Sequence, residues 1–170
     1  PEIVVGSSDN KLWVVRGDGT TPPGWPQNIA LTQDLDSSPA LGDLNGDGFP
    51  DVVCASSSGR VYAWRHDGVL LPGFPAEIRD RQGAFVALRS SPALVDLDSD
   101  GAPEILVGDQ IGRLFAFRAN GQPVVGFPLQ TENKIDGGPA AGDLDGDGLT
   151  EILVQSFDQK IWAWETPWTF

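Results

Sequence analysis

Short apolar runs alternate along this chain with clusters of Gly, Asp, Asn, Ser and Pro. In "RVYAW" (60–64), Val61 and Ala63 point to one side and Tyr62 and Trp64 to the other, the period of two that marks a β-strand. The block returns as "KLWVVRGDG" (11–19), "RVYAWRHDG" (60–68), "RLFAFRANG" (113–121) and "KIWAWETPW" (160–168), a period of about fifty residues. Before each copy stands a second apolar block: "PEIVVG", "PDVVCA", "PEILVG" and "TEILVQ". Its acid always precedes the basic residue that opens the next block by nine positions, as in Glu2 to Lys11 and Asp51 to Arg60. A third block, "SSPALGDL", "SSPALVDL" and "GGPAAGDL", leads into the second, and "GWP", "GFP" and "GFP" close the units at 24–26, 73–75 and 126–128.

Each unit therefore predicts four short strands, with the fourth containing the "GFP" segment. "DG" and "NG" after the third strand fit tight hairpin turns that need positive φ. Frequent proline and the absence of a 3.6-residue period argue against helix. Four antiparallel strands repeated in this way predict an all-β fold built from β-propeller blades, with a β-solenoid as the second possibility. The chain divides into repeats at about 1–30 (partial), 36–77, 90–129 and 138–170 (partial). That is a single partial propeller of about three and a half blades over 1–170.

Between the first and second strands lie "DLNGDGFPD" (43–51), "DLDSDGAPE" (96–104) and "DLDGDGLTE" (143–151). Loop positions 1, 3, 5 and 9 supply side-chain oxygens, and position 7 can add a backbone carbonyl. The candidate ligands are Asp43, Asn45, Asp47, Phe49 and Asp51; then Asp96, Asp98, Asp100, Ala102 and Glu104; then Asp143, Asp145, Asp147, Leu149 and Glu151. Hard oxygen donors suit calcium rather than zinc or copper, and glycine at position 6 allows the sharp turn. Without a cation the arrangement is costly. Two carboxylates about 5 Å apart repel by roughly 3 kcal/mol at an effective dielectric near 20. Three bound calcium ions would bring the formal charge from −13 to −7. Solvated Asp-Gly turns are the plainer alternative, and three copies with the ninth-position acid retained favour the cation.

With these residues in view, "SSPALGDLNGDGFPDVV", "SSPALVDLDSDGAPEILVG" and "GGPAAGDLDGDGLTEILVQ" resemble FG-GAP/VCBS-type repeats, the blades also found in integrin α-subunit heads. The resemblance implies a seven-bladed propeller, extracellular, on the cell surface or periplasmic, with calcium in these loops. Asn45 departs from the acidic pattern at position 3, so weaker binding is expected in the first loop. The family includes binding proteins and some enzymes, so the fold alone does not decide activity.

The charge balance, 24 acidic residues against 11 basic, disfavours nucleic acid and anionic membrane as partners. No apolar run reaches the roughly 18 residues that a membrane-spanning helix needs. Cys54 is the single cysteine and reads as a small buried hydrophobe. "RGD" (16–18) occupies the same turn as "RHD" (65–67) and "RAN" (118–120), so it reads as a turn rather than an adhesion motif. His66, the single histidine, sits in that turn with no second histidine to support zinc or catalysis. The recurring aromatics, Trp13, Tyr62, Trp64, Phe115, Phe117, Trp162 and Trp164, are expected to pack between blades rather than stack on sugars.

A calcium-dependent polysaccharide lyase would need a convergent Lys, Arg, Tyr or His, and the spacing supplies none. We therefore expect a recognition module for a protein or glycan rather than an enzyme, with a purely structural spacer as the third class. Recognition is expected on the connections between repeats, which vary in length. The longest, "AEIRDRQGAFVALRS" (76–90), carries Arg79, Arg81 and Arg89 as candidate ligand-binding residues. Blade faces at either end are expected to need covering, by further blades of a longer chain or by a second copy.

Overall fold

The computed structural model describes residues 2–29, 35 and 37–166. Among them are four antiparallel sheets and no helix. The first sheet holds β1 (Glu2–Ser7), β2 (Lys11–Arg16) and β3 (Gln27–Asn28). The second holds β4 (Ala40–Gly42), β5 (Asp51–Ser56), β6 (Arg60–Trp64) and β7 (Ala76–Glu77). The third holds β8 (Ala93–Val95), β9 (Glu104–Gly108), β10 (Arg113–Phe117) and β11 (Leu129–Gln130). The fourth holds β12 (Ala140–Gly142), β13 (Glu151–Ser156) and β14 (Lys160–Glu165). Each is an up-and-down meander, so each hydrogen-bonds neighbours in sequence, as in a propeller blade. The expected repeat limits at 1, 30, 36 and 170 fall outside the described residues.

Between blades the alternation in sequence becomes packing. Val52, Cys54, Tyr62 and Trp64 turn one face of the second blade onto Leu12, Val14 and Val4 of the first. The opposite face, Val53, Ala55, Val61 and Ala63, meets Ile105, Val107, Phe115 and Phe117 of the third. Leu106, Leu114 and Ala116 of the third then meet Ile152, Val154 and Trp164 of the fourth. Each blade thus offers an aromatic-bearing face to the blade before it and a smaller aliphatic face to the blade after it. The aromatics are stacked pairs, Tyr62–Trp64 at 5.1 Å, Phe115–Phe117 at 6.0 Å and Trp162–Trp164 at 5.8 Å between ring centroids. Bulk on one side and small residues on the other let adjacent sheets interdigitate at close-packed density.

The turns after β2, β6 and β10 share one construction. Gly19, Gly68 and Gly121 take positive φ, and Asp18, Asp67 and Asn120 accept from the backbone N–H two residues on. The "RGD" aspartate therefore holds its own turn, through both the N–H and the hydroxyl of Thr20. The turns after β6 and β10 also dock on the preceding blade. Trp25 Nε1 donates to the His66 carbonyl at 3.0 Å, and Gln27 donates to that of Gly68 at 2.9 Å.

The fourth strand departs from expectation. "GWP" and "GFP" lie in a turn, closed by Trp25, Phe74 and Phe127 N–H groups donating to the carbonyls of Pro22, Leu71 and Val124. The paired residues, Gln27–Asn28, Ala76–Glu77 and Leu129–Gln130, come immediately after. Proline has no N–H for a ladder, and the preceding glycines, Gly24, Gly73 and Gly126, have positive φ, so this segment turns rather than pairs.

Candidate metal-binding loops

The three acidic loops connect β4 to β5, β8 to β9 and β12 to β13. All are folded the same way by their own side chains. The ninth-position carboxylate accepts from the second-position N–H: Asp51 from Leu44 at 3.0 Å, Glu104 from Leu97 at 2.9 Å and Glu151 from Leu144 at 2.6 Å. The first-position aspartate accepts from the sixth-position glycine, Asp43 from Gly48, Asp96 from Gly101 and Asp143 from Gly148. Positive φ at those glycines brings their N–H groups round to the carboxylate. The fifth-position aspartates, Asp47, Asp100 and Asp147, accept from the N–H of Phe49, Ala102 and Leu149.

Two loops draw carboxylates into a nest. One oxygen each from Asp96, Asp98 and Glu104 lies within 4.8 Å of the others, and the same holds for Asp143, Asp145 and Glu151. Positions 1, 3 and 9 therefore converge, whereas Asp100 and Asp147 lie outside these trios and hydrogen-bond the seventh-position N–H groups. Position 7 keeps its carbonyl as a candidate neutral ligand.

Both nests contain a buried carboxylate oxygen with no hydrogen-bond partner, Asp98 Oδ1 and Glu151 Oε1. Such an atom is costly to bury unless a cation satisfies it. Burial also raises the Glu104 carboxyl above its ordinary range, with Asp98 and Asp100 adding to the effect. An oxygen-only donor set around orphaned buried oxygens fits a hard divalent ion, and these residues would hold it.

The first loop differs. Asn45 stands at position 3, and its amide donates to Asp51 Oδ1 at 3.5 Å. His66 Nδ1 lies 3.9 Å from Asp47 Oδ2, and its ring sits 4.5 Å from that of Phe49. Burial raises Asp51 as it does Glu104, while the Gly48 N–H holds Asp43 below its usual range. This loop has fewer carboxylates and supplies more of its own partners.

The "FG-GAP-like repeat" profile matches residues 1–54, 43–107 and 96–154, each match spanning an acidic loop or its flanking strands. The chain belongs to the FG-GAP-like repeat family. No curated protein matches it. Among solved structures it is similar to BBS1N in complex with ARL6DN, at 18% identity and a TM-score of 0.66, covering 97% of this chain and 50% of that one. It is also similar to the computationally designed Ika4 protein, at 14% identity and a TM-score of 0.66, covering 96% and 84%. A third likeness is to the V. cholerae biofilm matrix protein Bap1, at 20% identity and a TM-score of 0.60, covering 96% and 26%. These likenesses concern fold alone, and the FG-GAP chain spans half the length of BBS1N.

The three arginines of the 76–90 connection are not equivalent. The segment folds as a small hairpin, with Val86 N–H on the Ile78 carbonyl and Ala84 opposite Asp80. Arg79 pairs with Glu77 at 3.0 Å, donates to the Gly83 carbonyl at 2.7 Å and lies 3.6 Å from the centre of the Phe85 ring. Arg81 is exposed at the hairpin tip. Burial pushes the Asp136 carboxyl up, but the Lys134 and Gln110 contacts, with Arg89 adding a smaller part, hold it below its ordinary range. Cys54 is fully buried, and that burial pushes its thiol far up, which keeps it protonated.

Sequence reasoning missed Arg118, which donates to Asp98 Oδ2 at 3.2 Å and so reaches into the second nest. Its signal was present, because arginine also fills that position in the repeats at 16 and 65.

Proposed function

We propose that this FG-GAP propeller protein is a calcium-stabilised, extracellular or surface-displayed module for protein recognition. The observation that carries the calcium reading is the pair of carboxylate nests with unpartnered buried oxygens at Asp98 and Glu151. A cation there would tie the first–second strand hairpin of its blade to one geometry. At the affinities typical of extracellular modules, about 10⁻⁴ to 10⁻³ M, the sites would stay empty in a cytosol, so the calcium reading and this location stand or fall together.

Thermal melts in calcium and in chelator test the reading. Saturation a hundredfold above Kd stabilises by about 2.7 kcal/mol per site. A Tm rise of at least about 5 °C is expected for a chain of this size. Asp98→Ala should shrink the rise and Asp9→Ala should not. Equal melts in calcium and chelator would remove calcium from the proposal.

A protein partner is the preferred ligand class. The propeller-like structures it resembles include one solved in complex with another protein, BBS1N with ARL6DN. The contact surface we assign is the 76–90 hairpin, with exposed Arg81 at its tip. Glycan recognition by Arg79, Arg81 and Arg89 together has less support, since Arg79 is taken up by Glu77 and Phe85. Capture from secreted-protein extracts by wild type but not by Arg81→Glu would support the surface, and equal capture by both would remove it. Lyase chemistry is disfavoured because Tyr62 is buried against Trp64 and His66 packs on Phe49.

A further inference from the structure

The residue facing the ninth loop position across the blade is not constant. In the first blade Glu2 pairs directly with Arg16, and the two side chains approach to 3.6 Å. One step beyond the pairs Val52–Trp64 and Ile105–Phe117, the same register sets Arg65 opposite Asp51 and Arg118 opposite Glu104. In the fourth blade the register pairs Glu151 with Glu165. Two carboxylates are thus directly opposed on neighbouring strands, where Cβ atoms stand about 5 Å apart and like charges destabilise. One of that pair, Glu151, carries the buried oxygen without a partner.

We propose that this cross-strand position ranks the loops as cation sites, Glu165 raising the affinity of the third and Arg118 lowering that of the second. The proposal rests on the calcium reading above and adds two residues that lie outside the loop motif. Arg118 acts as a built-in counter-cation. Its guanidinium holds Asp98 Oδ2, and Asp98 is nine-tenths buried with its other oxygen unpartnered, so an incoming cation competes with Arg118 for this carboxylate. Glu165 does the reverse. It is exposed, makes no claim on the nest as a cation, and adds a negative charge opposite Glu151, which forms the nest with Asp143 and Asp145. The first loop stands apart, since Asn45 replaces the acid and Arg65 pairs with Asp67 at 2.8 Å rather than with the loop. The third loop therefore fills before the second.

Isothermal titration of the full chain with calcium chloride at physiological salt tests the ranking. Asp145→Ala should remove the tighter of the two sites and Asp98→Ala the weaker. Exchanging Glu for Arg changes the local charge by two. At water-like dielectric and a Debye length of about 8 Å, Glu165→Arg should weaken the third site roughly tenfold, and Arg118→Glu should tighten the second by a similar factor. Glu165→Gln and Arg118→Gln should give about a third of those factors. They also replace the charge-reversed variants should melting in chelator show those to be unfolded. Raising the salt should shrink every one of these differences. Wild-type binding with both sites unmoved by these substitutions would overturn the ranking and leave the calcium reading standing. No uptake of calcium by wild type would overturn both.

Discussion

Ile3 and Ile105 occupy the same place in their repeats, each directly after the acid that opens the second strand, yet Ile3 is 67% exposed and Ile105 is fully buried. The contrast extends to whole strands. Every residue of β5 and β9 is buried, whereas β14 has four exposed residues in six. Local pattern is the same in all of them. Burial is decided by the neighbour, since Ile105 packs against Val53 and Ala63 of the second blade while Ile3 faces away from it. A strand of period two carries two apolar faces, and a blade becomes core only when both are covered.

Truncating the two isoleucines should separate the buried from the open blade face most strongly. Ile105→Ala empties a site between packed sheets and should cost about 2–5 kcal/mol in urea unfolding. Ile3→Ala should stay within about 0.5 kcal/mol, because little is uncovered that water does not already reach. Equal losses would show that the first blade's outer face is packed in solution.

A second pair sharpens the role of the turns between blades. Gly19 and Gly73 have nearly the same φ, +83° and +82°. A Cβ on Gly19 meets nothing, while one on Gly73 overlaps the carbonyl oxygen of Asn120 in the next blade's turn. Gly19→Ala should therefore show only the left-handed strain, about 1–2 kcal/mol. Gly73→Ala should lose about 1–3 kcal/mol more, since docked backbone must move. Matching losses would mean the turn contact is not part of blade association.

Much of this was legible in the chain. "RVYAW" shows which residues share a face, and the packing of Tyr62 and Trp64 against one blade and Val61 and Ala63 against another follows it. The acidic loops were legible because a nonapeptide with fixed polar positions folds on its own backbone. What stayed hidden depends on contacts between segments. The proline and positive-φ glycine turn "GFP" out of the fourth strand, but the fit of Gly24 and Gly73 against the next blade's turn is a contact no local pattern encodes. Asp98 meeting Arg118, twenty residues on, needs the strand register as well as the motif. The convergence of positions 1, 3 and 9 without position 5 likewise follows from hydrogen bonds that spacing alone does not rank.

The smallest effect on stability is expected where apolar surface is already open. On the fourth blade Ile161 is 73% exposed, with Ala163 also exposed and Leu153 half-buried on the same face. On the first blade Ile3 and Val5 are exposed beside half-buried Trp13 and Val15. The two faces are unlike in the sense used between blades, small aliphatic on one and aromatic-bearing on the other. A head-to-tail contact between copies would match them, and such heterologous contacts build rings or open chains. We expect the 170-residue chain to self-associate in calcium, read by light scattering after size exclusion. Ile161→Lys should leave unfolding within about 0.5 kcal/mol of wild type, since the site is solvated in the single chain. The same change should shift the population toward the 18.1 kDa species by placing a charge in the contact. A wild type that stays at that mass on concentration would show that these faces do not bind one another.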